Sequence, residues 1–139
     1  MTTSRLAVLL GVTLSLGIGA GIVASRAADI PVKRTALINT PLVEQGSGER
    51  QAQMYITEVA PGVDAGRHFH HAHTFVYVMD GAIAIHEDGK SPITYETGQA
   101  FHEPPGFRHG ARNPSATKPV RLVIFQAPLK GQPLAEALK

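Results

Sequence analysis

The feature that most limits what this chain can fold into is a two-residue alternation of apolar and polar side chains, restarted again and again at turns. Gln51 to Ala60, QAQMYITEVA, alternates with period two, as a half-buried strand does, and stops at Pro61-Gly62. Thr74 to Met79, TFVYVM, is rich in β-branched and aromatic residues and runs into Asp80-Gly81, a hairpin-type turn. Ala82 to His86 continues the pattern as far as Asp88-Gly89. Ile93 to Glu96, Ala100 to His102 and Val120 to Gln126 follow, and Ala36 to Asn39 is a short apolar run ahead of them. About eight short strands at close spacing predict an all-β chain folded as a sandwich, jelly roll or closed barrel. The 14 Gly and 10 Pro are spread along the chain, as many turns require. Only Pro133 to Lys139, PLAEALK, reads as a short helical turn.

The first 27 residues read as a targeting segment separate from the domain at 28–139. Arg5 supplies a basic start, and Leu6 to Ala24 is uncharged and apolar. Ser25-Arg26-Ala27 places small residues at −3 and −1 of a cleavage site. The run at 6–24 is also long enough for a thin membrane span. A cleaved signal and an uncleaved anchor are both open. Each puts the domain outside the cytoplasm, secreted, periplasmic or tethered to the membrane.

Charge excludes one class of partner. The formal net charge is +2, from 13 basic and 11 acidic residues, and Arg5 and Arg26 are two of the 13. Residues 28–139 are therefore formally neutral, with no basic cluster interleaved with aromatics, so nucleic acid is not expected as a partner. The chain has no Cys, which rules out disulfides, thiolate ligands and thiol nucleophiles. Any metal is left to imidazole, carboxylate or Met.

Histidine carries the chemistry. Six of the seven lie in two windows, HFHHAH at 68–73 and HEPPGFRH at 102–109. His68 and His70 are two apart, so on a strand they project from one face and can reach one ion. His109 follows Pro104-Pro105-Gly106, a stiff turn that fixes its direction. Three imidazoles from two segments would leave coordination positions open, unlike a closed structural site.

These two windows resemble the motifs of the cupin superfamily. The first, G-x5-H-x-H-x3,4-E-x6-G, maps onto Gly62, His68, His70, position 74 and Gly81. The second, G-x5-P-x-G-x2-H-x3-N, maps onto Gly98, Pro104, Gly106, His109 and Asn113. The resemblance covers residues 50 to 126. It implies a single antiparallel cupin (jelly-roll) β-barrel, one divalent metal ion (Fe, Mn, Zn, Cu or Ni) on His68, His70 and His109, and a homodimer. It does not imply a reaction, because one fold hosts many chemistries. One position departs from the motif: the expected glutamate is Thr74. Thr74 itself or the adjacent His73 is then the candidate fourth ligand.

Around this set, Glu103 either orients a ligand imidazole or pairs with Arg108 at the surface. Gln53, Tyr55 and Thr57 share a strand face and either line a pocket or form the solvent side. Met54, Ile56, Phe75, Tyr77, Phe101 and Phe125 are expected in the core or pocket lining. His71 and His73 read as loop residues, and His102 as outward-facing. No catalytic residue is assigned. Three functions remain: a small-molecule enzyme of dioxygenase or lyase type, a non-catalytic metal- or small-ligand-binding module, and a metal-free relic, which the intact second motif argues against. An enzyme keeps an apolar pocket beside the ion, whereas a metal carrier holds it near the surface.

Overall fold

A computed structural model describes residues 31–42 and 48–139, and the targeting segment lies outside the described residues. Among the described residues there is no helix, and none is long and apolar enough to cross a membrane. The described residues form ten strands: β1 (Val32–Leu42), β2 (Arg50–Val59), β3 (Asp64–Phe69), β4 (Thr74–Asp80), β5 (Ala82–His86), β6 (Ile93–Glu96), β7 (Ala100–Glu103), β8 (His109–Arg112), β9 (Val120–Gln126) and β10 (Glu136–Ala137). They make two five-stranded antiparallel sheets, ordered β1-β2-β9-β4-β7 and β10-β3-β8-β5-β6. The chain crosses between the sheets at almost every turn, which is the jelly-roll winding expected from the strand pattern.

Alternation sets what faces inward. On β2, Tyr55, Thr57 and Val59 are buried; on β4, Thr74, Val76 and Val78; on β9, Val120, Leu122 and Gln126. With Ile83 and Ile85 from β5, the apolar members of these rows form the core. Each such fully buried side chain contributes about 1.5–3 kcal/mol relative to exposure. The same alternation corrects two expectations. Phe75 and Tyr77 lie one residue out of phase with the core of β4 and face outward, 50% and 47% exposed. Their aromatic character marks strand propensity, not burial.

Two further expectations change. Ala36 to Asn39 is the middle of an 11-residue edge strand, bulged between Ala36 and Ile38 and largely exposed. PLAEALK is not helical: Glu136 and Ala137 form β10 and pair with Phe69 and His68. A lone turn of helix is costly to nucleate, and the sheet edge offers ladder hydrogen bonds instead.

Sheet packing also explains one glycine beside the site. A Cβ on Gly110 would stand 2.2 Å from His86 Nε2, so β8 lies against the His86 ring with no room for a side chain.

Candidate metal centre

The three predicted imidazoles meet at one end of the barrel. His68 comes from β3, His70 from the bend that follows it, and His109 opens β8, directly opposite His68 in the ladder. Ring centroids are 5.1 Å apart for His68–His70, 4.4 Å for His68–His109 and 5.6 Å for His70–His109. Their ligating nitrogens all lie within 4.8 Å of one another, close enough to hold one metal ion. His70 and His109 are buried and His68 is half-buried. The Pro-Pro-Gly turn sits where its stiffness is needed. Gly106 adopts φ +75° and donates its N–H to the His70 carbonyl at 2.8 Å, tying the second window to the first.

Each imidazole is oriented through Nδ1. His68 Nδ1 reaches the Gly66 carbonyl at 3.0 Å, His70 Nδ1 the Leu134 carbonyl at 2.6 Å, and His109 Nδ1 the Phe107 carbonyl at 3.0 Å. A carbonyl only accepts, so each Nδ1 carries the proton and donates it. In the neutral ring the Nε2 lone pair is thereby free to bind a cation. Leu134 was invisible in sequence, where its segment reads as helix. A backbone acceptor leaves no side-chain signature.

Glu103 resolves in favour of the site. It is 3% exposed, with Oε1 2.9 Å from His109 Nε2 and Oε2 3.3 Å from His70 Nε2, while Arg108 is exposed. Burial on its own would raise the Glu103 carboxyl, but hydrogen bonds to His109 and His70 outweigh it and hold the group down at about 2. Burial likewise pulls on His109, yet the Glu103 carboxylate overrides it and the His109 value is raised. His68 is lowered, chiefly by burial.

The two candidates for a fourth ligand separate. His73 is exposed and pairs with His102 on the outer face, Nδ1 to Nε2 2.8 Å, so strict alternation turns it away from the trio. Thr74 points inward and is fully buried; its hydroxyl donates to the Ala72 carbonyl and Gln126 Oε1, both at 3.3 Å. His71 is bound to Glu136 at 2.9 Å, which fastens the bend to β10.

Cross-strand register sorts the inner face into rows. Gln53, Gln126, Thr74 and Glu103 stand side by side across β2, β9, β4 and β7. Gln126 Nε2 donates to Gln53 Oε1 at 3.1 Å, making this a continuous polar row at the metal end. Gln126 was missed in sequence, although it continues the inward phase of Val120, Leu122 and Ile124 as a lone polar residue. The next row is Tyr55, Ile124, Val76 and Phe101. Beside the trio this second row, with Glu103, lines a largely apolar cavity that also takes in Thr57, Ile83 and, from β1, Arg34. Tyr55 and Thr57 therefore line the pocket rather than the solvent side. Burial pushes the Tyr55 phenol up to about 12, against the pull of Arg34, so it stays a neutral O–H donor. Among the described residues, Thr57 Oγ1 is a buried side-chain atom with no hydrogen-bond partner.

The cupin-domain profile matches residues 55–125, and the chain belongs to that family. No curated protein matches it in sequence. Solved structures share the fold. The polyketide cyclase RemF from Streptomyces resistomycificus superposes with a TM-score of 0.60 at 20% identity, over 79% of this chain and 72% of that one. An uncharacterised protein with a double-stranded β-helix domain from Klebsiella pneumoniae gives 0.61 at 22%, over 80% and 90%. The DMSP lyase DddQ from Ruegeria pomeroyi gives 0.58 at 18%, over 79% of this chain and 54% of that one.

The coupled pair makes a pH prediction for chelator-treated protein. A raised His109 contributes stability that is complete below its ordinary value of 6.5 and lost as pH rises through the raised one. A depressed Glu103 contributes stability that is complete above 4.5 and lost as pH falls toward about 2. His68 acts in the opposite sense to His109, so the difference between wild type and His109→Gln isolates the pair. In calorimetric melts, the wild-type advantage in Tm should be largest between about pH 4.5 and 6.5 and shrink at higher pH. An advantage that grows with pH would contradict the assignment.

Proposed function

We propose that this cupin is a divalent-metal-dependent enzyme of dioxygenase or lyase type acting on a small organic molecule. The observation that carries the reading is that the trio lines a cavity whose walls are mostly apolar. An ion bound by His68, His70 and His109 would supply Lewis acidity and open positions for a substrate oxygen. The chain's own groups then orient the substrate. Tyr55 offers a neutral O–H, Arg34 a cation, and Thr57 a buried hydroxyl without a protein partner, which a ligand can engage. The lyase and cyclase among the structural relatives act on small molecules, which agrees with this reading.

Metal analysis of the purified chain is the first test. About one iron or manganese per chain is the expected result, followed by screens for O2 uptake and lyase activity. No metal after reconstitution would end the proposal. Thr57→Val adds a second check. It should raise stability by about 1 kcal/mol, because an unsatisfied buried hydroxyl is removed, while lowering turnover in whichever screen scores. Lower stability would mean that Thr57 already has a partner in solution.

The metal-handling alternative keeps one observation in its favour, the outward His73–His102 pair, where two imidazoles already touch. More than one copper or zinc per chain would select it. We further propose that residues 6–24 direct the chain out of the cytoplasm, cleaved or retained as an anchor, and that it works as a homodimer. The exposed Phe75 and Tyr77 beside Phe125 support the second point, since an outer apolar face of this kind suits a second copy. Cell fractionation and light scattering read these two features.

A further inference from the structure

We infer that Glu103 supplies the carboxylate ligand that position 74 lacks, so that the ion is held by three imidazoles and one carboxylate borrowed from the neighbouring strand. The inference rests on the metal reading above and assigns a different donor from either sequence candidate. Register carries the first part of it. Glu103 on β7 stands directly opposite Thr74 on β4. Directly opposed residues on adjacent antiparallel strands share a sheet face with Cβ atoms about 4.5–5.5 Å apart. A glutamate at 103 can therefore deliver its carboxylate to nearly the same place as one at 74.

Donor chemistry carries the second part. With Nδ1 protonated and bonded to a backbone carbonyl, both His70 and His109 turn an Nε2 lone pair toward Glu103. Lone pairs of nitrogen and of carboxylate oxygen repel unless a cation stands between them, a proton while the site holds no metal and the metal ion once it is bound. Toward His70 and His109 the separations suit a shared metal ion, while Glu103 stands outside the group of donors all within 4.8 Å of one another, so joining His68 on the ion takes a rotation of the Glu103 side chain. Two ligands bound at about 2.1 Å, subtending 90–109°, lie roughly 3.0–3.4 Å apart. Glu103 Oε1 is 2.9 Å from His109 Nε2, and Oε2 is 3.3 Å from His70 Nε2.

Thr74 meanwhile has other work. It bonds Ala72 and Gln126, and through Gln126 joins Gln53. A small hydroxyl at 74 leaves room beside it for the longer side chain at 103. The chemical consequence is a site whose ligands carry one negative charge, so the net charge of the ion with its ligands falls from +2 to +1. The substitution at 74 relocates the motif's charge without removing it.

The test is Co2+ binding to the full chain by competition with a chromophoric chelator, in four proteins: wild type, Glu103→Gln, Thr74→Glu and the double variant. Wild type should bind one Co2+, and Glu103→Gln should bind at least about 100-fold more weakly, the loss of roughly 2.7 kcal/mol. Thr74→Glu in the Glu103→Gln background should recover at least about tenfold, and the two substitutions should be strongly non-additive. Unchanged affinity in Glu103→Gln would overturn the inference while leaving a three-His site standing. Weak binding without recovery in the double variant would also overturn it, because the carboxylate would then be acting through hydrogen bonds alone. No Co2+ on wild type would remove the metal reading itself. Should Glu103→Gln not fold, infrared difference spectra of wild type answer the same question. A shift of carboxylate stretching bands on adding Co2+ is expected, and its absence is fatal to Glu103 as a ligand.

Discussion

His109→Ala should reduce metal content from about one ion per chain to less than about a tenth, with the β-sheet circular dichroism intact. The residue is 1% exposed and its ring is stacked on Phe107, so at first sight the truncation threatens the fold. Two features soften it. The side chain borders an existing cavity, which water can enter, and Glu103 keeps its contact with His70 at 3.3 Å. The metal has no such reserve. Without His109 the remaining imidazoles come from one segment, and the Glu103 carboxylate alone faces them from another strand. Elemental mass spectrometry after dialysis decides the matter, and stoichiometric metal in the variant would sink the proposed ligand set.

Asn113→Ala should do the reverse, destabilising the barrel by about 2–4 kcal/mol while leaving metal content per folded chain unchanged. Asn113 is fully buried. Its Nδ2 serves the carbonyls of Val59, Ala60 and Lys118 at 3.0, 3.2 and 2.8 Å, and its Oδ1 accepts from the Ser115 N–H at 3.0 Å. Those groups belong to the ends of β2 and β8 and to the loop before β9. Truncation strands several of them away from water, each at a cost of about 1–3 kcal/mol before relaxation. Urea unfolding reads the loss as a lower midpoint at constant slope. A shift below about 0.5 kcal/mol would mean that water replaces the amide. Asn113 and His109 sit four residues apart in one motif and yet divide its labour, one holding the loop and the other facing the ion.

The fold was legible because strands announce themselves locally. β5, β6 and β9 fall where alternation and turns place them, since side-chain phase and turn chemistry act within a few residues. The trio was legible for the same reason, as spacing of two on a strand is itself a statement of direction. What escaped depends on partners distant in sequence. Whether Glu103 faces the histidine trio or Arg108 is decided by its register against Thr74, 29 positions away. Whether PLAEALK coils or extends is decided by a free edge on β3. Phe75 and Tyr77 were misplaced because hydrophobicity was weighed ahead of phase: Thr74 is inward, so its neighbours at odd positions are outward. Thr57 carried no signal beyond its shared face with Tyr55, because an unsatisfied hydroxyl is a property of its surroundings.

The backbone carbonyls that hold the three Nδ1 atoms have one more consequence, for supply. Gly66, Phe107 and Leu134 aim the imidazoles by contacts within the protein, so the site is shaped before any ion arrives and a chelator can empty it without unfolding the barrel. A preformed set of nitrogen donors ranks divalent ions in the Irving–Williams order and takes copper or zinc ahead of manganese or iron wherever they compete. Occupancy is then settled by which ions are free where loading occurs. A chain loaded inside the cell and one loaded after export would share a fold and a pocket, and would carry different metals.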